Sequence, residues 1–186
     1  MRMFNGCKKL GYIDFGDVEF AVLADGAFNL VASETNTIEK MQFKCPNYET
    51  NSMFRVFSGK INTTEINFEG SNFSPVVDMG QCFYQSSIVK TISFKNTNLN
   101  NVTSWKYCFG GTSSLENLDF DGCTLITDPK LGDCKKLTVT SLLSVINALK
   151  DNRGSTTLTC TIGATNLAKL TSTQIKIATD KNWTLA

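Results

Sequence analysis

The feature that most constrains this chain is a self-similarity at its centre. Val76 to Leu99 reads VVDMGQCFYQSSIVKTISFKNTNL, and Val102 to Leu125, 26 positions on, reads VTSWKYCFGGTSSLENLDFDGCTL. In that overlay Cys82 falls on Cys108, Phe83 on Phe109, Ile92 on Leu118, Phe94 on Phe120 and Leu99 on Leu125. A period of this size marks a stack of like units, none of which can bury its apolar face alone.

The pattern extends outward in both directions. Ile66-x-Phe68-x-x-Ser71-x-Phe73 matches at an offset of 26, and Met41-x-Phe43-x-x-Pro46-x-Tyr48 at a further 25. The first copy is Leu10-x-x-Ile13-x-Phe15-x-x-Val18-x-Phe20, 28 before that. Downstream, Cys160-x-Ile162-x-x-Thr165-x-Leu167 recovers the pattern after a gap of 42. The clearest copy, Leu115-x-x-Leu118-x-Phe120-x-x-Cys123-x-Leu125, fits the L-x-x-L-x-L-x-x-N/C-x-L core of a leucine-rich repeat. The expected fold is therefore an α/β repeat solenoid, a right-handed parallel β-solenoid of leucine-rich-repeat type with about six coils. It fills a single domain, 1–186, with the repeats over about 10–167.

The long gap has its own signal. Leu142, Leu143, Val145, Ile146 and Leu149 carry the spacing of an amphipathic helix. This predicts an inserted helix at about 141–150, capped by Thr140 or Ser141 and stopped by Asp151-Asn152-Arg153-Gly154. Thr171-Ser172-Thr173-Gln174 is a capping box, with Leu170 and Ile175 placed as a hydrophobic staple. A helix over roughly 172–180 follows, then Asn182 and Trp183-Thr184-Leu185. This segment, about 168–186, is expected to cap the last core layer.

Short parallel strands stacked at this period put like positions in columns. Ile13, Met41, Ile66, Ile92, Leu118 and Cys160 form one expected inward column, and Phe15, Phe43, Phe68, Phe94, Phe120 and Ile162 the next. A third lies on the return side: Met53, Met79, Trp105 and Leu131, with Val56, Cys82, Cys108 and Cys134 beside it. The positions after the Phe column, Gly16, Lys44, Glu69, Lys95, Asp121 and Gly163, alternate in charge, as favourable cross-strand neighbours do. The outward rows are Tyr12, Lys40, Glu65, Thr91, Asn117 and Thr159, and Asp14, Gln42, Asn67, Ser93, Asp119 and Thr161. The ten from Tyr12 to Asn117 and from Asp14 to Asp119 are the candidate binding face. They are small and polar with one aromatic, so a carbohydrate or other polar ligand, or plain solvation, suits them better than a tight protein site.

Histidine is absent, which removes Ser-His-Asp and Cys-His catalysis and imidazole metal sites together. No cofactor or metal site is expected, and the chain reads as no enzyme. Asp119 and Asp121 lie two apart, yet read as solvated sheet residues with Lys95 beside Asp121. The glycines Gly110, Gly111 and Gly122 fall at coil corners rather than in a phosphate loop. A formal net charge of +1 speaks against nucleic acid as main partner, and no apolar run reaches the 18 residues that would suggest a membrane span. The start, MRMFNGCKKLGYIDF, has no apolar h-region, so it does not read as a secretory signal. The seven cysteines follow the repeat rather than a metal or disulfide framework. Cys82, Cys108 and Cys134 would sit one coil apart, within disulfide range, with a reduced thiol ladder the expected state. The Asn-x-Thr/Ser triplets at Asn62, Asn72, Asn101 and Asn182 read as accidents of an Asn/Thr-rich composition.

At Val76-Val-Asp-Met79-Gly-Gln-Cys82-Phe83, and again at Val102-Thr-Ser-Trp105-Lys-Tyr-Cys108-Phe109, the chain resembles the BspA-like leucine-rich repeat family. That family's repeats carry a turn of the type NVTxMxxMFxxCSSL. Met79 and Trp105 occupy its first Met position, and Cys82-Phe83 and Cys108-Phe109 its Met-Phe pair. Its Cys before Ser-Ser is replaced here by Gln85 and by Gly111 or a neighbour. Leu158 to Thr171, with the ending Ala178-Thr-Asp-Lys-Asn-Trp-Thr-Leu-Ala, resembles the usual close of such proteins in gut bacteria and their phages. The resemblance covers roughly 38–186. It implies adhesion at a surface, and with no signal at the start it implies a virion protein made in the host cytoplasm. Expected partners are other virion proteins or a host surface glycan or protein. The alternatives are a bacterial or protozoan cell-surface adhesin and a purely structural spacer.

Overall fold

The computed structural model describes residues 12–15, 38–44, 49–59 and 63–186. Leu10, Gly16, Val18, Phe20, Pro46, Tyr48 and Asn62 of the repeat reading lie outside them. The strands are β1 (Tyr12–Asp14), β2 (Ile38–Gln42), β3 (Thr63–Asn67), β4 (Thr91–Ser93), β5 (Asn117–Asp119), β6 (Leu158–Cys160) and β7 (Trp183–Leu185). The helices are α1 (Val139–Ala148), α2 (Ala164–Leu167) and α3 (Ser172–Thr179).

β1 to β5 form one parallel sheet in chain order. Its register puts Ile13, Met41, Ile66, Ile92 and Leu118 side by side, which is the column expected from the 26-residue period. A parallel pair needs a long connection between its strands, and each repeat supplies one. The phenylalanines that follow the strands extend the ladder: Phe43, Phe68 and Phe94 donate N–H to Asn67, Ser93 and Asp119 at 2.7–2.8 Å. Their rings lie in one file. Phe15–Phe43, Phe43–Phe68, Phe68–Phe94 and Phe94–Phe120 stack at 4.7, 5.2, 5.1 and 5.2 Å.

The return side carries a second ladder. Met53, Arg55, Phe57 and Gly59 donate N–H to Asp78, Gly80, Cys82 and Tyr84, and Met79, Gln81, Phe83 and Gln85 donate to Ser104, Lys106, Cys108 and Gly110. A second aromatic file, Phe57–Phe83–Phe109, stacks at 5.5 Å per step and meets the first edge-on. The third expected column, from Met53 to Leu131 and from Val56 to Cys134, is buried throughout.

Buried side chains tie the corners. Ser71 and Thr97 donate hydroxyls to the carbonyls of Phe43 and Phe68, one repeat back, and Cys123 donates its thiol to that of Phe94. The three stand 26 apart, at the N/C position of the motif, where a short donor must satisfy a buried carbonyl. One left-handed corner recurs at the same interval in Gly70, Asn96 and Gly122 (φ 73°, 56° and 75°). A Cβ on Gly122 would lie 2.2 Å from Asn96 Oδ1, so that corner needs glycine twice over, for its φ and for its closeness to the neighbour.

After β5 the expected sixth strand of the sheet is not there. β6 pairs instead with β7, and Thr165-Asn166-Leu167 lie in α2, so Cys160 does not continue the Ile13–Leu118 column. The reason is α1. Its Ser141 and Ser144 hydroxyls accept the N–H groups of Leu118 and Phe120 at 2.9 and 2.7 Å, so the outer edge of β5 is already bonded. α1 also begins earlier than expected, at Val139, with Thr138 as N-cap accepting from Ser141 N. It ends at Ala148, because Leu149 turns extended and bridges Leu125. The capping box at Thr171 and Gln174 forms as expected, and Leu170 and Ile175 both pack on the core.

Candidate functional site

The strand register brings all ten residues of the expected face together in two straight rows. Tyr12, Lys40, Glu65, Thr91 and Asn117 are neighbours across the sheet, as are Asp14, Gln42, Asn67, Ser93 and Asp119. All ten are exposed or half-buried, since alternate residues of a strand point to opposite faces and the other set holds the core. Thr159 and Thr161 do not belong to these rows, because β6 lies in the other sheet.

The rows hold one cation and three carboxylates. Lys40 Nζ pairs with Glu65 at 2.8 Å, and this hydrogen bond raises the lysine pKa. Tyr12, half exposed, donates its hydroxyl to Asp14 at 3.3 Å. Loss of water around the ring and the adjacent Asp14 charge both raise the phenol. Asp119 Oδ1 accepts from Asp121 N and from Ser144 Oγ of α1. A cleft of about 370 Å³ lies there, between Asn117, Asp119 and α1. Lys95 meets Glu69 at 3.7 Å rather than Asp121, so only part of the expected charge alternation becomes an ion pair. This arrangement offers an ordered strip of hydrogen-bonding groups.

The described thiols are placed as packing groups. Cys82, Cys108, Cys123, Cys134 and Cys160 are free. Burial raises all of them, Cys123 to about 11 and Cys134 to about 12, which removes the thiolate needed for chemistry at neutral pH. Among the described residues no group of three or more cysteines and carboxylates is placed to hold a metal ion. No described helix is long and apolar enough to cross a membrane.

A second recess lies outside the expected face. On the return side a groove of about 650 Å³ is lined by Trp105, Lys106 and Tyr107 and by Asp128, Lys130 and Asp133, with Thr161 also on its wall. Trp105 is buried, as its column predicts, while its neighbour Tyr107, which belongs to no expected column, stands exposed. The available signal is Pro129, which falls where the neighbouring copies have Thr103 and Val77.

Comparison with known proteins finds no matching family model, no matching curated protein and no matching solved structure.

Proposed function

We propose that this chain is a non-enzymatic attachment protein built as a right-handed leucine-rich-repeat solenoid of the BspA-like kind. It acts as a virion protein of a bacteriophage, presenting the sheet face to a bacterial surface or to a neighbouring virion protein. The observation that carries the attachment reading is the pair of straight polar rows over a stacked aromatic core. Such a strip is held rigid before any partner arrives, which lowers the ordering cost of binding. The virion assignment rests on the resemblance of residues 158–186 and the turn motif, and the same motif supports the alternative of a cell-surface adhesin.

The test has two arms. Immunogold labelling of purified particles should decorate one component, and label confined to the bacterial envelope would turn the reading to the adhesin. Particles or purified chain bearing Tyr12→Ala with Lys40→Ala and Glu65→Ala should lose adsorption to host cells at least about tenfold. Unchanged adsorption would remove the sheet face from the proposal.

A further inference from the structure

The groove exists because the repeat stops pairing with itself. At the two preceding steps of the return-side ladder, N–H groups two residues apart donate to the next copy. At the third step the N–H groups of Trp105 and Tyr107 make no such bond to Lys130 and Gly132. Pro129 stands where Thr103 stands one copy earlier, and Thr103 N–H bonds the Val77 carbonyl at 3.0 Å. A proline has no N–H to give. Asp128 then turns the chain: its carboxylate accepts Lys130 N at 2.9 Å, and Lys130 takes a left-handed φ of 60°. The same carboxylate holds Thr161 through its N–H and hydroxyl at 2.9 and 2.6 Å, so the far wall is pinned away from the near one.

The chemistry of the walls selects a ligand. Tyr107 is 58% exposed, with the Lys106 ammonium 5.9 Å from its ring centre. Trp105 is 3% exposed, and its indole N–H is the one buried side-chain polar atom without a partner among the described residues. The Trp183 indole, by contrast, donates to the Lys150 carbonyl at 2.8 Å. Lys130 Nζ already pairs with Asp128 at 3.0 Å, and Lys106 balances Asp133, which favours an uncharged guest. The recess closes beyond Tyr107, where Cys134 Sγ reaches the Phe109 carbonyl and Asn166 Nδ2 takes the Cys134 carbonyl. That leaves too few open rungs for an added peptide strand, which binds through successive main-chain bonds.

We propose that this groove binds a neutral oligosaccharide of about two or three sugar units, a size that suits an ordinary ligand recess. The apolar face of one ring stacks on Tyr107, and its hydroxyls meet the Lys106 ammonium and the open main-chain N–H groups of Trp105 and Tyr107. This site is separate from the sheet face and does not depend on it.

The test is a titration of the full ¹⁵N-labelled chain with maltotriose, cellotriose and N,N′-diacetylchitobiose. Trigalacturonate serves as an anionic control and a Gly-Ser pentapeptide as a peptide control. At least one neutral sugar should move the Trp105 indole signal and leave that of Trp183 in place, saturating with a Kd on the order of 0.1–5 mM. Tyr107→Ala should weaken binding at least about tenfold, Tyr107→Phe by less than about threefold, and Lys40→Ala not at all. Silence with every neutral sugar overturns the proposal, as does equal or tighter binding of either control. Binding lost with Lys40→Ala but kept with Tyr107→Ala overturns it too, and moves the sugar to the sheet face. Failure in the first sense leaves the adsorption test of that face intact.

Discussion

The region from Ile38 to Cys123 and the region from Asp128 onward are built from the same kind of sequence yet solve different problems. In the first, every unit rests on another like it. Many of its described buried groups find their partner one period along, as when Thr97 answers the Phe68 carbonyl and Phe94 stacks on Phe68. In the second, the stack has to end, and partners come from whatever is near. α1 hydroxyls serve the β5 edge, Asn166 Nδ2 donates to the Cys134 carbonyl, and the Lys181 ammonium covers the Ile146 and Asn147 carbonyls at the end of α1. Repetition settles the middle cheaply, whereas an end needs particular side chains.

Four substitutions or conditions sharpen that contrast, in falling order of effect. Phe94→Ala removes a ring stacked on both sides and should cost about 3–5 kcal/mol, read as a lowered urea midpoint. An unmoved midpoint would deny the aromatic file its role. Ser141→Ala with Ser144→Ala leaves two N–H groups of the β5 region without acceptors, at a cost of about 2–4 kcal/mol together. Hydrogen exchange at Leu118 and Phe120 should accelerate more than at Ile92, and uniform acceleration would mean that α1 is not the edge cover.

On the open face the effects shrink. A double-mutant cycle on Lys40 and Glu65 should give a coupling below about 1 kcal/mol that fades with salt, because both side chains remain about one-third exposed. The smallest effect is a pH response at Asp151. Arg153, bonded to its carboxylate, holds the Asp151 pKa down at about 2, and the side chain is about half exposed. A depressed acid stabilises the fold above its unfolded pKa of about 4 and loses that contribution as pH falls through about 2. An NMR titration should therefore find Asp151 titrating well below an ordinary aspartate, and Arg153→Gln should return it toward the usual value.

The sheet register was legible because it depends on like residues at a fixed interval. Ile13, Met41, Ile66, Ile92 and Leu118, and the phenylalanines two residues after each, name their own neighbours. The ten face residues follow from the same register, since a strand that buries one set must expose the other. The second aromatic file through Phe57, Phe83 and Phe109 was half visible, as an overlay without a stated partner. The fate of β5's outer edge was not. Cys160 and Ile162 keep the pattern of a strand, but pattern does not say which edge a strand will find.

By itself, then, the sequence determined the period, the two inward columns, the polar rows opposite them and the capping box at Thr171. All of these are local or repeat at one spacing, so a short stretch of chain is enough to specify them. Tertiary structure alone decided that Ser141 and Ser144 close the sheet, that β6 turns to β7, and that Pro129 leaves a groove beside Trp105. Each of those outcomes is a competition between distant segments for the same unpaired backbone groups, and only the assembled fold says which segment arrives.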